Sequence, residues 1–386
     1  MTDLHHRFVV LACLLAVVPA VAQGQDSTVA QPDGWASQCR VTDVDFQSHD
    51  GFEMFGRLVL PKDRQPRAIV VYVQTAEGAT VDQKRPLRDG RTFNYFDLYR
   101  SVLPEKGIGF FSYEGRGIRM GDAPPRYEHV DWDIFRTATL DNKVKDALSA
   151  VQAVRSQPGL SETPVILMGA SEGTLIAAEV ASHKDARIDG LVLYATLASN
   201  MRQNFAFILS DGSFLPYRRL DTDHDGSISE QEWDVVSKYA GFDKVDRNGD
   251  GVFNVDDMRV INKKLLDAVD NEDFDTLQAW AKTSAAVVVP DHWFEDHFSH
   301  ADIWSFLKES DIPVGVFHGD QDSNTSIAAV KELQQKAKEA GRTNLEFHYF
   351  EGLDHTLNIG QYFVSGKMPE GHQVIFRYID RISPHE

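Results

Sequence analysis

Two stretches near the start of the chain, VTDVDFQS (41–48) and FEMFGRLVL (52–60), alternate apolar and polar residues on either side of Asp50-Gly51. A period of two sets one face of a strand against a core and the other in solvent, so the pattern predicts a half-buried hairpin. Beyond it the pattern changes. AIVVYVQ (68–74), GIGFFSY (107–113), PVILMGA (164–170), GLVLYAT (190–196) and PVGVFHG (313–319) are unbroken apolar runs, and LEFHYF follows near 345 as another strand-like run. Unbroken runs suit parallel strands covered on both faces. Between them, 93–105, 132–157, 172–183 and 326–340 read as helices, the second with apolar residues at the 3.6 period. Strands alternating with helices predict an α/β fold: an open, mainly parallel, doubly wound sheet with an antiparallel start.

One interval breaks this rhythm. From 198 to 310 no strong buried strand occurs, yet the stretch is rich in Asp, aromatic residues and helix-like segments. It reads as a helical cap inserted over the carboxyl edge of the sheet, where such folds bind ligands. The expected organisation is therefore a first core segment (41–197), the cap (198–310) and a second core segment (311–386). Ahead of these, 23–40 is a polar, Pro- and Gly-containing lead-in, expected to be flexible.

Residues 1–22 place Arg7 before an apolar run and end in Ala20-Val21-Ala22, the small-x-small pattern of a secretory cleavage site. A cleaved signal peptide predicts export to the periplasm or the medium. The rival lipoprotein signal at Val10-Leu11-Ala12-Cys13 is weaker, because the apolar run continues past the cysteine. No later stretch approaches the roughly 18 apolar residues of a membrane-spanning helix. Of the two cysteines, Cys13 falls inside the leader, so Cys39 alone remains and no intramolecular disulfide is expected. Lys and Arg total 39 against 58 Asp and Glu, a net charge of −19. That sign argues against nucleic acid or an anionic membrane as partner and favours cations or neutral substrates.

The chemistry begins at Gly169-Ala170-Ser171-Glu172-Gly173, a G-x-S-x-G pattern between an apolar strand and an amphipathic helix. A sharp strand-to-helix turn there exposes the serine hydroxyl. A serine needs a base, and the base an acid to orient it, following the nucleophile in the order serine, acid, histidine. After the run 313–319 come Asp320 and Asp322, of which Asp322 has the spacing to face the site and Asp320 to brace the turn. His355 follows in Gly352-Leu353-Asp354-His355 and is the expected general base. The expected oxyanion donors are the amides of Glu172, directly after the nucleophile, and Ala76, with Thr75 as the alternative, in the loop Gln74-Thr75-Ala76-Glu77-Gly78.

Gly169 to Gly173, Asp322 and His355 together resemble the α/β-hydrolase superfamily, over about 41–197 and 311–380. Tyr113-Glu114-Gly115-Arg116-Gly117 is similar to that family's loop after the following strand. The likeness is greatest to bacterial serine esterases and peptidase-like hydrolases, whose cap ends before a strand and an H/N-G-x-x-D loop, as 293–322 does here. Gln74-Thr75 departs from the His-Gly of many members. The resemblance implies hydrolysis of an ester, thioester or amide through an acyl-enzyme.

The cap carries a second motif. Residues 221–275 hold 16 acidic against 6 basic residues, a net charge of −10. Within them Asp221, Asp223, Asp225, Ser227 and Glu232 take the ligand positions of a twelve-residue EF-hand loop (221–232), Gly226 allowing its turn. A second loop (246–257) offers Asp246, Asn248, Asp250, the Val252 carbonyl, Asn254 and Asp257 around Gly251. Its terminal Asp and the short interval between loops resemble dockerin-type repeats. One or two Ca2+ ions are therefore expected, with no organic cofactor. They would fasten the cap, position it over Ser171, or dock a partner protein. The aromatics at 293–298, Trp280 and Trp304 either pack or line an acyl pocket. The His and acid mixture at 291–301 lacks the H-E-x-x-H pattern of zinc sites. The sequence thus predicts an exported serine esterase acting on a small ester. A short peptide substrate for an aminopeptidase-like enzyme, and a non-catalytic calcium-dependent binding module, are the alternatives.

Overall fold

The computed structural model describes residues 32–87, 89–124, 126–234, 241–283 and 289–384. The expected leader at 1–22 and the lead-in as far as residue 31 lie outside the described residues. The remaining lead-in is structured, its last two residues, Cys39 and Arg40, opening the first strand. Pro32–Gln38 winds into a 3₁₀ helix, and the Trp35 ring lies 5.4 Å from the Arg100 guanidinium, a cation–π contact that anchors it.

Eight strands form the main sheet: β1 (Cys39–Gln47), β2 (Glu53–Pro61), β3 (Ala68–Tyr72), β4 (Ile108–Tyr113), β5 (Val165–Ala170), β6 (Ile188–Tyr194), β7 (Val314–Gly319) and β8 (Leu345–Phe350). Their order is β1-β2-β4-β3-β5-β6-β7-β8. β2 runs antiparallel to both its neighbours, Phe46 facing Met54 across the first pair, and every later pairing is parallel. The hydrophobic pattern accounts for these positions. β3, β4, β5 and β7 are buried along their whole length, whereas most of β1 is exposed. β8 closes the edge, and its Glu346 and His348 interrupt the apolar run where solvent reaches that strand.

Successive side chains of each central strand serve two cores. Val165 and Leu167 of β5 pack with Leu140, Val144 and Leu175 on one face, while Ile166 and Met168 join Tyr99, Phe110 and Phe376 on the other. The helices supplying these contacts include α1 (Asp97–Val102), α2 (Leu140–Arg155), α3 (Glu172–Ser182), α4 (Trp293–Ser299), α5 (Ile327–Glu339) and α6 (Glu370–Ile382). Two expected helices are modified. The segment 93–105 begins with Thr92–Asn94, paired to Lys84–Pro86. The segment 132–157 divides into Trp132–Phe135 and α2, because Asp131 and Thr139 each accept amide hydrogen bonds as separate N-caps.

No strand of the main sheet lies among the described residues between β6 and β7. Short helices fill that interval, and two loops within it pair through Ile228 with Phe253 and Ser229 with Val252. Ile228 and Phe253 enter a small separate core with Phe214, Trp233 and Met258. The rest of the interval joins the main core: the Phe205 ring lies 5.6 Å from Trp280 and 5.0 Å from Phe294. Among the described residues no helix is long and apolar enough to cross a membrane.

A buried ion pair ties the first hairpin to the rest. Arg116, in the loop after β4, donates to Asp146 of α2 at 2.6 and 3.0 Å and to Asp50 in the β1–β2 turn at 2.6 Å. Ser48 also donates to Asp146. Asp146→Ala would leave a guanidinium that is only 3% exposed facing a half-exposed Asp50. Breaking such a pair should cost about 3 kcal/mol, read as a lower urea midpoint at unchanged slope; a midpoint equal to wild type would show that Asp50 and water suffice.

Candidate active site

Ser171 joins β5 to α3 with φ 53° and ψ −127°, a region that side-chain-bearing residues rarely occupy. Holding it there costs of order 1–3 kcal/mol, supplied by the packing around the turn. The turn is tight enough to dictate its flanking residues. A Cβ on Gly169 would lie 2.2 Å from the Gly173 carbonyl oxygen, and one on Gly173 would lie 2.9 Å from that of Gln74. The G-x-S-x-G spacing therefore reports a close crossing of β5, α3 and the loop after β3. Thr174 reinforces it, its hydroxyl donating to the Ser171 carbonyl at 2.6 Å and accepting from the Leu197 amide at 3.1 Å.

The sheet carries the expected acid and base to the same edge. Asp322 follows β7 and His355 follows β8, and the imidazole Nδ1 donates to the two Asp322 oxygens at 2.8 and 2.9 Å. That fixes the tautomer and leaves Nε2 as the acceptor. Asp322 also accepts from the amides of Asn324 and Thr325 and from the Thr325 hydroxyl. Burial pushes the Asp322 carboxyl up, but His355 and these donors outweigh it and hold the pKa at about 2. Burial likewise pushes the His355 pKa down, and the Asp322 carboxylate more than reverses this, so it lies above the ordinary histidine value. Asp320 braces the turn, accepting from the Gly352 amide at 2.7 Å. No hydrogen bond joins Ser171 Oγ to His355 among the described residues; such contacts often tighten only with substrate in place.

Of the expected oxyanion donors, the Glu172 amide opens α3 and the Ala76 amide lies in the loop that crosses it. The Glu172 side chain is fully buried and meets three donors: Lys143 Nζ at 2.6 Å, His297 Nε2 at 2.7 Å and Trp293 Nε1 at 3.2 Å. Burial raises its pKa, but Lys143 and His297 together bring it down to about 2. Asp296, beside them on α4, accepts from the Leu140 amide at the start of α2 at 2.8 Å. The segment 293–298, whose aromatics were expected either to pack or to line an acyl pocket, here holds α4 against α2 and α3. Trp293 stacks on His297 at 4.1 Å between ring centroids.

Sequence reasoning missed Lys143, His297 and His318. Lys143 had a legible signal, since it falls on the apolar stripe of α2 beside Leu140, Val144 and Ala147. His318 is buried next to the acid, its Nδ1 accepting from the Thr196 amide at 3.2 Å and its Nε2 donating to the Thr325 carbonyl at 3.1 Å. It therefore braces the loop that presents Asp322.

The first acidic loop brings carboxylate oxygens together. Asp221, Asp223 and Asp225 each place a carboxylate oxygen within 4.8 Å of the others. Gly226 and Gly251 turn the loops at φ 91° and 86°. Glu232 accepts from the amides of Thr222 and Ser229, which hold its carboxyl at about 2. In the second loop Asp246 accepts from the Gly249 and Gly251 amides, Asn248 from Asp250, and Asp250 from Val252. Asp257 is buried and accepts from Arg247, Asn248 and Asn254. The three clustered carboxylates of the first loop are hard oxygen donors of the kind a divalent cation takes.

No protein-family profile matches the sequence, and no curated protein matches it. Solved structures do match the fold. An esterase of Pyrococcus furiosus is 11% identical, with 95% of this chain and 97% of that one covered at a TM-score of 0.51. A carboxyl esterase of Bacillus coagulans is 16% identical over 89% of this chain and 99% of that one, TM-score 0.50. A hypothetical protein of Pseudomonas aeruginosa is 13% identical over 94% and 99%, TM-score 0.51. With the strand order above, these likenesses show that the chain has the α/β-hydrolase fold.

The Asp322–His355 pair makes a measurable prediction. In Asp322→Asn, burial acts on the imidazole unopposed by the charge, so the His355 pKa should fall by about 1–3 pH units, followed by NMR of the ring protons. An unchanged value would mean that the carboxylate does not govern this histidine. For stability the signs are opposite. The raised His355 pKa stabilises the fold in acid and its contribution disappears as pH rises through that pKa. The depressed Asp322 pKa stabilises it above about pH 4 and is lost as pH falls toward 2.

Proposed function

We propose that the chain is an exported serine hydrolase that cleaves carboxylic esters through an acyl-enzyme. The observation that carries this reading is a serine held at positive φ on a strand-to-helix turn, at the same sheet edge as a hydrogen-bonded Asp322–His355 pair. Ser171 Oγ attacks the ester carbonyl while His355 Nε2 takes its proton. The carbonyl oxygen becomes an oxyanion held by the Glu172 and Ala76 amides. His355 then protonates the departing alcohol, and the acyl group stays on Ser171. Water, deprotonated by the same imidazole, releases the acid and restores the serine. Asp322 keeps its charge and steadies the imidazolium throughout.

Calcium is the proposed occupant of the cap loops. Asp221, Asp223, Asp225, the Ser227 carbonyl and Glu232 would hold one ion, and Asp246, Asn248, Asp250, the Val252 carbonyl and Asp257 a second. The ions would neutralise the acidic segment and clamp the Ile228–Phe253 pairing, fastening the cap in a chain expected to have no intramolecular disulfide. The described elements support that role: the paired loops share one small core, so ordering either orders both.

The first test is hydrolysis of p-nitrophenyl acetate and butyrate by the purified protein and by Ser171→Ala. The variant should lose about 10⁴-fold or more in kcat; equal rates in the two proteins would sink the serine mechanism, and peptide substrates and binding partners would become the next search. Calcium at about 100 times its Kd should add roughly 2.7 kcal/mol of stability, seen as a higher Tm that EGTA reverses. Asp223→Asn with Asp225→Asn should reduce that response to the part the second loop supplies, and a calcium-independent Tm in the parent protein would refute the metal assignment.

A further inference from the structure

We propose that Lys143 is a positioning residue that sets both halves of the oxyanion site, an inference that rests on the serine-hydrolase reading above. Its ammonium is 5% exposed and meets three acceptors: Glu172 Oε1 at 2.6 Å, the Ala76 carbonyl at 3.1 Å and the Thr75 carbonyl at 3.3 Å. Three acceptors use all three ammonium protons, so its orientation is determined.

The consequence follows from peptide geometry. The Thr75 carbonyl and the Ala76 N–H belong to one planar, trans unit, in which they point to opposite sides. Anchoring the carbonyl on Lys143 therefore aims the Ala76 N–H away from the ammonium. Withdrawing electron density from that carbonyl also makes the N–H a stronger donor. The same ammonium grips the side chain of Glu172, whose amide is the other donor. One cation thus fixes two backbone amides from separate segments of the chain, the loop after β3 and the start of α3.

The cap completes the arrangement. His297 and Trp293 occupy Glu172 Oε2, so the carboxylate cannot swing away from Lys143 without breaking contacts to α4. Gln74 holds the same loop from the other side, its side chain accepting from the Ala79 amide at 2.6 Å and donating to the Tyr113 carbonyl. This supplies what Gln74-Thr75 leaves open, since the loop is held by a lysine from α2.

The test separates positioning from simple charge compensation. Lys143→Met removes the ammonium, while Lys143→Met with Glu172→Gln also removes the buried carboxylate and leaves an amide oxygen for His297 and Trp293. If the lysine positions the oxyanion donors, both variants should lose about 10-fold or more in kcat with KM within about threefold, since loosening a donor should cost less than the 10²–10³ of deleting one. Affinity for an alkylboronic acid, which forms a tetrahedral adduct on Ser171, should fall by a similar factor. If the lysine only neutralises Glu172, the double variant should recover wild-type kcat and boronate affinity, and the proposal is overturned. Should Lys143→Met fail to fold, the double variant alone decides. A wild type without Ser171-dependent turnover would instead remove the serine-hydrolase reading on which this one stands.

Discussion

The close crossing at the end of β5 is the constraint on which the rest of the site depends. Gly169 lies against the Gly173 carbonyl and Gly173 against that of Gln74, so three segments of backbone meet with no space for a side chain. The contact forces Ser171 to positive φ, and it brings the loop after β3 across the start of α3. The exposure of Ser171 and the placement of the loop after β3 are therefore two results of one packing event. The strain is sustained by the buried strands on either side, β3 and β6, which hydrogen-bond β5 along its length.

A buried charge cluster then joins this crossing to the cap. A carboxylate immediately after Ser171 would be costly in a dry interior unless matched by donors. Glu172 has Lys143, His297 and Trp293, which come from α2 and α4. Asp296 adds a second tie by bonding the first amide of α2. Helix α4 is consequently bound to α2 and α3 by directional contacts, in addition to the Phe205, Trp280 and Phe294 packing. The acidic loops stand apart, with their own small core around Phe253. The acidic loops and the charge cluster beside Ser171 thus belong to different cores of the fold.

Much of this was legible from residue patterns. Unbroken apolar runs mark strands buried on both faces, and β3, β4, β5 and β7 are such strands. The alternation around Asp50-Gly51 marks the hairpin that became β1 and β2. The order of Ser171, Asp322 and His355 along the chain, each just beyond a strand, placed all three at one edge because parallel strands end on the same side. Boundaries were less legible. The 3.6 period ran straight through Thr139, because periodicity records which face is apolar and says little about where a cap interrupts the backbone.

By itself the sequence determined the layered architecture, the serine turn, the order of Ser171, Asp322 and His355 along the chain, and the spacing of the acidic residues between β6 and β7. These are local: each depends on neighbours a few residues apart, or on how each strand's run of side chains must be buried. Only the tertiary structure decided that Lys143, Glu172, His297 and Trp293 share one buried cluster, that Arg116 links Asp50 to Asp146, and that the two acidic loops pair through Ile228 and Phe253. Those contacts join residues far apart in the chain, up to 125 positions for His297 and Glu172. A charged residue carries no mark in sequence of the partner that will meet it; that is set when packing removes water and leaves each buried charge to the groups nearest it.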